Sequence, residues 1–278
     1  MTSREVTMVL SGGGAKTAAH LGAHRALLEG GLAVRRFVAT SMGAVIAAGL
    51  AGGAREDELL ERLTVVGNRG IVRDPLAAVA GLFARSLLRP APLRRAIESL
   101  VPARSFADLA VPLTVSVVDL DSGALLLFGS GGEDGPLIDV LCATCALPLY
   151  FPPVSLGGRR CGDGGLRGVL PLEAASRLAA EPVVAVDVGP GFDTAPASEP
   201  AQGPPVLRAH DEAVGTLMAA HSASQLARWR TDGAMPPLLY VRPRVERNAT
   251  FRVERMRQYA ADGHEATRDA LAGWRANP

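Results

Sequence analysis

Along the first fifty residues, short apolar runs alternate with segments whose apolar residues recur at helical spacing. Val6–Leu10 is a β-branched and apolar run that ends at Ser11 and three glycines, and Lys16–Glu29 follows with a helical period. The pattern repeats at once. Ala33–Thr40 reads as a strand, Ser41 sits at the junction, and Met42–Ala51 reads as a helix of small residues. Two successive strand–loop–helix units predict a parallel sheet covered by helices.

Glu56–Val66, Pro75–Leu88 and Pro92–Leu100 read as consecutive helices with no strand between them, which predicts a helical cap or insertion over about 55–104. Leu113–Val118 and Leu125–Phe128 then flank the turn-like Asp121, Ser122 and Gly123 and predict a hairpin. Pro136–Ala146 is helix-like, Val154–Leu156 a short strand, Pro171–Ala180 a helix and Pro182–Val188 a buried strand. Gly189–Pro205, rich in Pro, Gly, Ala and Ser, reads as a surface loop. A helix over about Val206–Arg230, a strand over Leu238–Val241 and a closing helix over Glu254–Trp274 complete a C-terminal helical part at about 206–278. The expected fold class is α/β: a three-layer α/β/α arrangement with a mainly parallel central sheet, residues 1–278 forming one domain.

Composition narrows the function classes. With 48% apolar and 21% charged residues the chain can bury a full core. Its 29 cationic and 28 acidic residues leave a formal charge of +1, so no global field draws nucleic acid, which is not an expected partner. The three cysteines, Cys142, Cys145 and Cys161, are too few and odd in number for a disulfide framework, which makes the cytoplasm the expected compartment. Residues 1–10 lack the cationic start and apolar middle of a signal peptide. The apolar run Ala39–Ala54 is broken by four glycines and falls short of the ~20 residues of a membrane span. Any contact with lipid would therefore be peripheral. Arg69, Arg73, Arg85, Arg89, Arg94, Arg95 and Arg104, interleaved with apolar residues, fit either a cap facing anionic lipid or a helix pair with solvated arginines.

Three signals carry chemistry. Gly12, Gly13 and Gly14 lie between a strand and a helix, where missing side chains let backbone N–H groups converge on an oxygen. A phosphate-binding P-loop would need glycine at Ala15 and Leu10, and the dinucleotide fingerprint would need it at Thr17. Ala39-Thr40-Ser41-Met42-Gly43, at the next strand-to-helix junction, approximates a GxSxG nucleophile elbow with Ala39 in the first glycine position. Taken alone it also fits a serine capping a helix. Gly162-Asp163-Gly164-Gly165 places a carboxylate in a glycine-rich loop, and by itself also fits a surface turn.

In this order the three blocks resemble the patatin-like phospholipase family of lipid acyl hydrolases. The family's GGGxRGxxHxG corresponds to Gly12–Gly22, keeping Lys16 as the cation, His20 and Gly22, with Thr17 where glycine is usual. Its ASxAxPxxFPPV resembles Ala143–Val154, and its DGGxxxNxP resembles Asp163–Pro171 with Val169 at the asparagine position. A Ser-Asp-His triad of the ordinary α/β-hydrolase type, drawing on His210, His221 or His264, is the nearest competitor. It expects several strands before the elbow, where this chain has room for one before the strand leading to Ser41.

The resemblance implies a lipid ester substrate and no cofactor or metal. It also implies Ser41 as nucleophile, Asp163 as base, and an oxyanion hole from Gly12, Gly13, Gly14 and Ala15, with Lys16, Gly43 and Gly164 in support. Phospholipase A, lysophospholipase and esterase activities all fit, through an acyl-Ser41 intermediate. Transfer of the acyl group to an alcohol and non-catalytic lipid binding are the alternatives. His20 and His24 read as packing or polar-face residues and not bases, Cys142 and Cys145 as small core residues, and Asp119, Asp121, Asp139 and Asp187 as carboxylates without a motif.

Overall fold

A computed structural model describes residues 4–68, 88–192, 205–246 and 252–276. Eight strands, β1 (Arg4–Leu10), β2 (Leu32–Ala39), β3 (Leu113–Asp119), β4 (Leu125–Gly129), β5 (Val154–Leu156), β6 (Arg159–Asp163), β7 (Val183–Val186) and β8 (Leu238–Val241), form one sheet. Its order is β5-β6-β3-β2-β1-β7-β8, with β4 also paired to β3. The run β3-β2-β1-β7-β8 is parallel, and β4, β5 and β6 join by antiparallel pairing. The mainly parallel three-layer α/β/α fold predicted from the sequence is the fold observed.

The two-residue period of the strands makes the layers. Met8, Leu10, Phe37, Ala39, Val184 and Val186 share one core with Leu21 and Leu27 of α1 (Ala19–Glu29) and with Val45 and Ile46 of α2 (Ser41–Ala51). The same core takes Leu59 of α3 (Glu56–Asn68) and Ile97 of α4 (Pro90–Leu100), so the described part of the helical insertion packs into the main core. The intervening residues Val9, Val38, Val183 and Ala185 form a second core with Leu172 and Ala175 of α7 (Leu172–Leu178) and Trp229 of α8 (Pro205–Thr231). Each of the Val, Leu, Ile, Phe and Met side chains among them, taken fully from water, contributes about 1.5–3 kcal/mol. The remaining α-helices among the described residues are α5 (Leu137–Thr144), the single turn α6 (Gly165–Gly168) and α9 (Met256–Ala276).

The helix expected over Pro75–Leu88 lies, except for Leu88, outside the described residues, as do Arg69, Arg73 and Arg85 and residues 193–204 of the expected loop. Arg94 pairs with Asp139 and with Glu98, so one arginine of that basic segment is committed to intramolecular partners. No described helix is long and apolar enough to cross a membrane.

One register positions everything that follows. β4 occupies one edge of β3 along Thr114–Val118, and a strand has two edges. The other edge is therefore shared: β2 runs parallel to β3 and ends with Ala39 beside Val115, while β6 runs antiparallel and ends with Asp163 beside Val117. The C-terminal ends of β2 and β6 face each other across Ser116.

Candidate active site

The glycine loop begins where β1 ends. The Ser11 N–H donates to Val186 O at 3.2 Å, and Ser11 Oγ accepts the Val188 N–H at 2.8 Å, which ties the loop to the end of β7. His20 contacts Ser11 O through Nε2 at 2.8 Å. A carbonyl only accepts, so Nε2 carries the proton. Burial pushes His20 down to about 4, which keeps the ring neutral and fixes it as a donor. Gly14 sits at φ 60, a left-handed value that favours glycine, and its carbonyl accepts the Thr17 hydroxyl at 2.6 Å. The unexpected Thr17 thus adds a tie within the loop.

Gly14 and Ala15 head a short 3-10 helix (Gly14–Ala18), so their N–H groups have no intrahelical acceptor. Gly12 differs from its neighbours. Its N–H donates to Val169 O at 2.9 Å, so this amide is not free to serve as an oxyanion donor, contrary to the role expected from the sequence. Val169 supplies that carbonyl from the backbone, and its side chain would lie 3.3 Å from a Cβ at Gly12.

Ser41 is the first residue of α2 and sits at φ 52. A side chain in that region costs of order 1–3 kcal/mol and persists where the surroundings over-determine it. Here Gly43 permits the tight turn, since a Cβ there would fall 2.3 Å from Ser11 O. Ala39 at the first elbow position is fully buried, and the Thr40 N–H donates to Leu10 O at 3.3 Å.

The Ser41 hydroxyl donates to Asp163 Oδ2 at 2.8 Å across 122 positions of sequence. Asp163 is 5% exposed, and its other oxygen accepts the Gly165 N–H at 2.7 Å. Burial raises the carboxyl to about 6, opposed by the Gly165 amide and the Ser41 hydroxyl. Gly164 is glycine for a steric reason: a Cβ there would meet Ser116 O at 2.2 Å and Thr40 Oγ1 at 2.3 Å. The sequence reading put Asp163 in a loop, whereas it closes β6. Arg159 and Arg160 hide that strand from a hydrophobic pattern, and pairing with β3 and β5 creates it.

Three residues near this pair were given no role at the site by the sequence: Thr144 and Ser116 were not singled out, and Cys145 was read as a small core residue. Thr144 Oγ1 accepts the Ser41 N–H at 2.8 Å and donates to Ser116 O at 2.7 Å. The Cys145 thiol lies against the Ser41 hydroxyl, and burial, aided by the Asp163 charge, raises it well above its ordinary value, so it stays protonated. Ser116, a polar residue inside an apolar strand, and the hydroxyl of Thr144 in an apolar helix were the available signals.

The other candidates fall elsewhere. Lys16 is 4% exposed; burial first, then Arg242, pulls it down to about 8 against the opposing effects of Asp187 and Glu246. Asp187 pairs with Arg242 at 2.8 Å and accepts from Tyr240. Asp119 accepts from Ser122, and Asp121 pairs with Arg160. His264 contacts Glu29 at 2.7 Å, His221 contacts Gln225 and His210 contacts Asp211. The group that accepts from the Ser41 hydroxyl is a carboxylate and not an imidazole.

A serine in a left-handed turn thus donates to a buried aspartate beside a glycine loop on an α/β sheet. Residues 8–176 match the family described as Patatin, patatin-like phospholipase, and the chain belongs to that family. An uncharacterized NTE family protein of Mycobacterium tuberculosis is 30% identical over 202 residues, which cover 70% of this chain and 53% of that protein. Human patatin-like phospholipase domain-containing protein 6 is 27% identical over 201 residues, 70% of this chain and 14% of that protein. The chain thus spans about half the length of the mycobacterial relative. Among solved structures, VipD from Legionella pneumophila aligns with 98% of this chain and 67% of its own at a TM-score of 0.49 and 14% identity.

Proposed function

We propose that the chain is a lipid acyl hydrolase in which Ser41 attacks the ester carbonyl and Asp163 is the base. The observation that carries this reading is the 2.8 Å hydrogen bond from Ser41 Oγ to a buried carboxylate. As Oγ bonds to the carbonyl carbon, its proton passes to Asp163 and the carbonyl π pair moves to oxygen. The amides of Gly13, Gly14 and Ala15 receive that charge, and losing one such donor typically costs ~3 kcal/mol. Collapse breaks the bond to the alcohol, which leaves with the proton from Asp163. Water then gives a proton to Asp163 and attacks the acyl-Ser41 ester; its collapse frees the fatty acid and returns the proton to Oγ.

A carboxylate at an ordinary ~4 is a weak base for a serine, and desolvation to about 6 narrows the mismatch. Gly43 and Gly164 support the site by admitting backbone where a Cβ would clash, and Lys16 supports it from its buried position just after the loop. Leu149 and Leu166, 39% and 38% exposed on the segments that flank Asp163, favour an apolar substrate and peripheral contact with a lipid surface.

The test is covalent labelling by a fluorophosphonate, followed by phospholipid and lysophospholipid hydrolysis in vesicles. Wild type is expected to label, and Ser41→Ala to abolish both labelling and hydrolysis; labelling that survives the substitution refutes the reading. A second expectation follows from the ionisation of Asp163. The base must be charged to accept a proton, so kcat/KM should rise with pH and level off above an acid limb centred near 6. A limb centred near 4, or activity that climbs through pH 8 without a plateau, contradicts the assignment.

A further inference from the structure

The strained serine is held by a side chain to which no role has been given. As the first residue of α2, Ser41 has an N–H with no intrahelical acceptor. The residue placed to cap this helix, Thr40, makes no side-chain capping bond. The acceptor comes instead from 103 positions away: Thr144 Oγ1 takes the Ser41 N–H at 2.8 Å. That hydroxyl has one proton, and it points to Ser116 O at 2.7 Å, so its lone pair is left directed at Ser41. Thr144 is fully buried, and water does not replace either contact. Its neighbours hold the rest of the pair. The Ala146 carbonyl accepts the Asp163 N–H at 3.0 Å, and Cys145 lies against the Ser41 hydroxyl.

We infer that Thr144 is a positioning residue for the nucleophile: its hydroxyl, oriented by Ser116, fixes the Ser41 amide and so aims Oγ at Asp163. This rests on Ser41 being the nucleophile. Without the hydroxyl, the left-handed turn loses its polar anchor and the buried N–H its acceptor, and the serine relaxes away from the aspartate. A small misplacement of a reacting group costs about 10²-fold in rate.

The experiment compares Thr144→Val, which keeps the shape and removes the hydroxyl, with Thr144→Ser, which restores it, and with Ser41→Ala. Second-order fluorophosphonate labelling and steady-state ester hydrolysis are read for each. T144V should lose about 10²-fold in labelling rate and in kcat with KM little changed, and T144S should stay close to wild type. The acid limb of the residual T144V activity should not move, because Thr144 does not bond the Asp163 carboxylate. If circular dichroism shows T144V unfolded, Thr144→Ala against T144S makes the same comparison.

Wild-type labelling in T144V, equal impairment in T144S, a loss confined to KM or a shifted acid limb each overturns the positioning role. Labelling that persists in S41A overturns the nucleophile itself and the positioning role with it. Labelling lost in S41A but normal in T144V removes the positioning role alone.

Discussion

Asp163→Asn yields a protein that is nearly inactive and more stable than the wild type. The first half follows from chemistry: an amide takes no proton from Ser41, and removing a general base typically costs about 10²–10⁴-fold in rate. The second follows from burial. The folded carboxyl titrates near 6, against an ordinary value of 3.8, because desolvation outweighs the Gly165 and Ser41 hydrogen bonds. At neutral pH the folded chain therefore holds a charge that the unfolded chain holds more comfortably in water. A rise of that size is worth about 3 kcal/mol of lost stability.

The sign fixes the pH window. A raised carboxyl means that the folded state binds its proton more tightly, so stability is higher below about 4 and falls as pH rises through 6. Asparagine can still accept the Gly165 N–H and carries no charge to desolvate. D163N should accordingly melt higher than wild type at pH 7.5, by roughly 5–10 °C, with the difference closing at pH 4. A variant that melts at or below wild type at pH 7.5 would show that the hydrogen bonds, and not desolvation, dominate this carboxylate.

How the site became legible differs from residue to residue. β1, the glycine loop, β2 and the elbow could be read because the signals are local: an apolar run, then residues without side chains, then a helical period. Gly43 and Gly164 were legible as motif positions, and the structure places carbonyl oxygens where their Cβ atoms would be. Asp163 was found through its motif but put in a loop, because β6 exists through pairing with β3 and β5 and carries two arginines. The meeting of β2 and β6 on one edge of β3 has no local signature at all. Cys145 was read as a core residue and Thr144 was not singled out, because burial is what the apolar pattern around α5 reports; their polar contacts depend on Ser41, more than a hundred positions away. Gly12 differs the other way: its place in the motif suggested an oxyanion donor, and its N–H already donates to the Val169 carbonyl.

Gly22 was legible as part of a motif, yet its reason lies outside the region that matches the family. A Cβ on Gly22 of α1 would fall 1.8 Å from Ala260 O, and a Cβ on Gly263 of α9 would fall 2.0 Å from Ala19 O. The two glycines interlock, so α1 and α9 touch backbone to backbone along this stretch. Neither obstacle is a flexible side chain that can swing aside. Gly22→Ala and Gly263→Ala should therefore each push the helices apart and destabilise the fold by about 3 kcal/mol, at the upper end for overpacking.

The damage should reach the site. α1 continues directly from the 3-10 helix into which the glycine loop runs, and His20 on α1 bonds Ser11 O at the start of that loop. Both variants should lose esterase activity while keeping Ser41 and Asp163. Gly273→Ala provides the contrast on the same helix, since a Cβ there meets nothing within 4 Å. Relieved of glycine's backbone entropy, G273A should be neutral or stabilised by up to ~1 kcal/mol. Thermal melts and ester hydrolysis of the three variants decide the matter. If G263A melts and turns over like wild type, α9 does not hold the glycine loop through α1. If G263A fails and G273A does not, a helix beyond residue 176 is part of what keeps the amides of Gly13 and Gly14 in place.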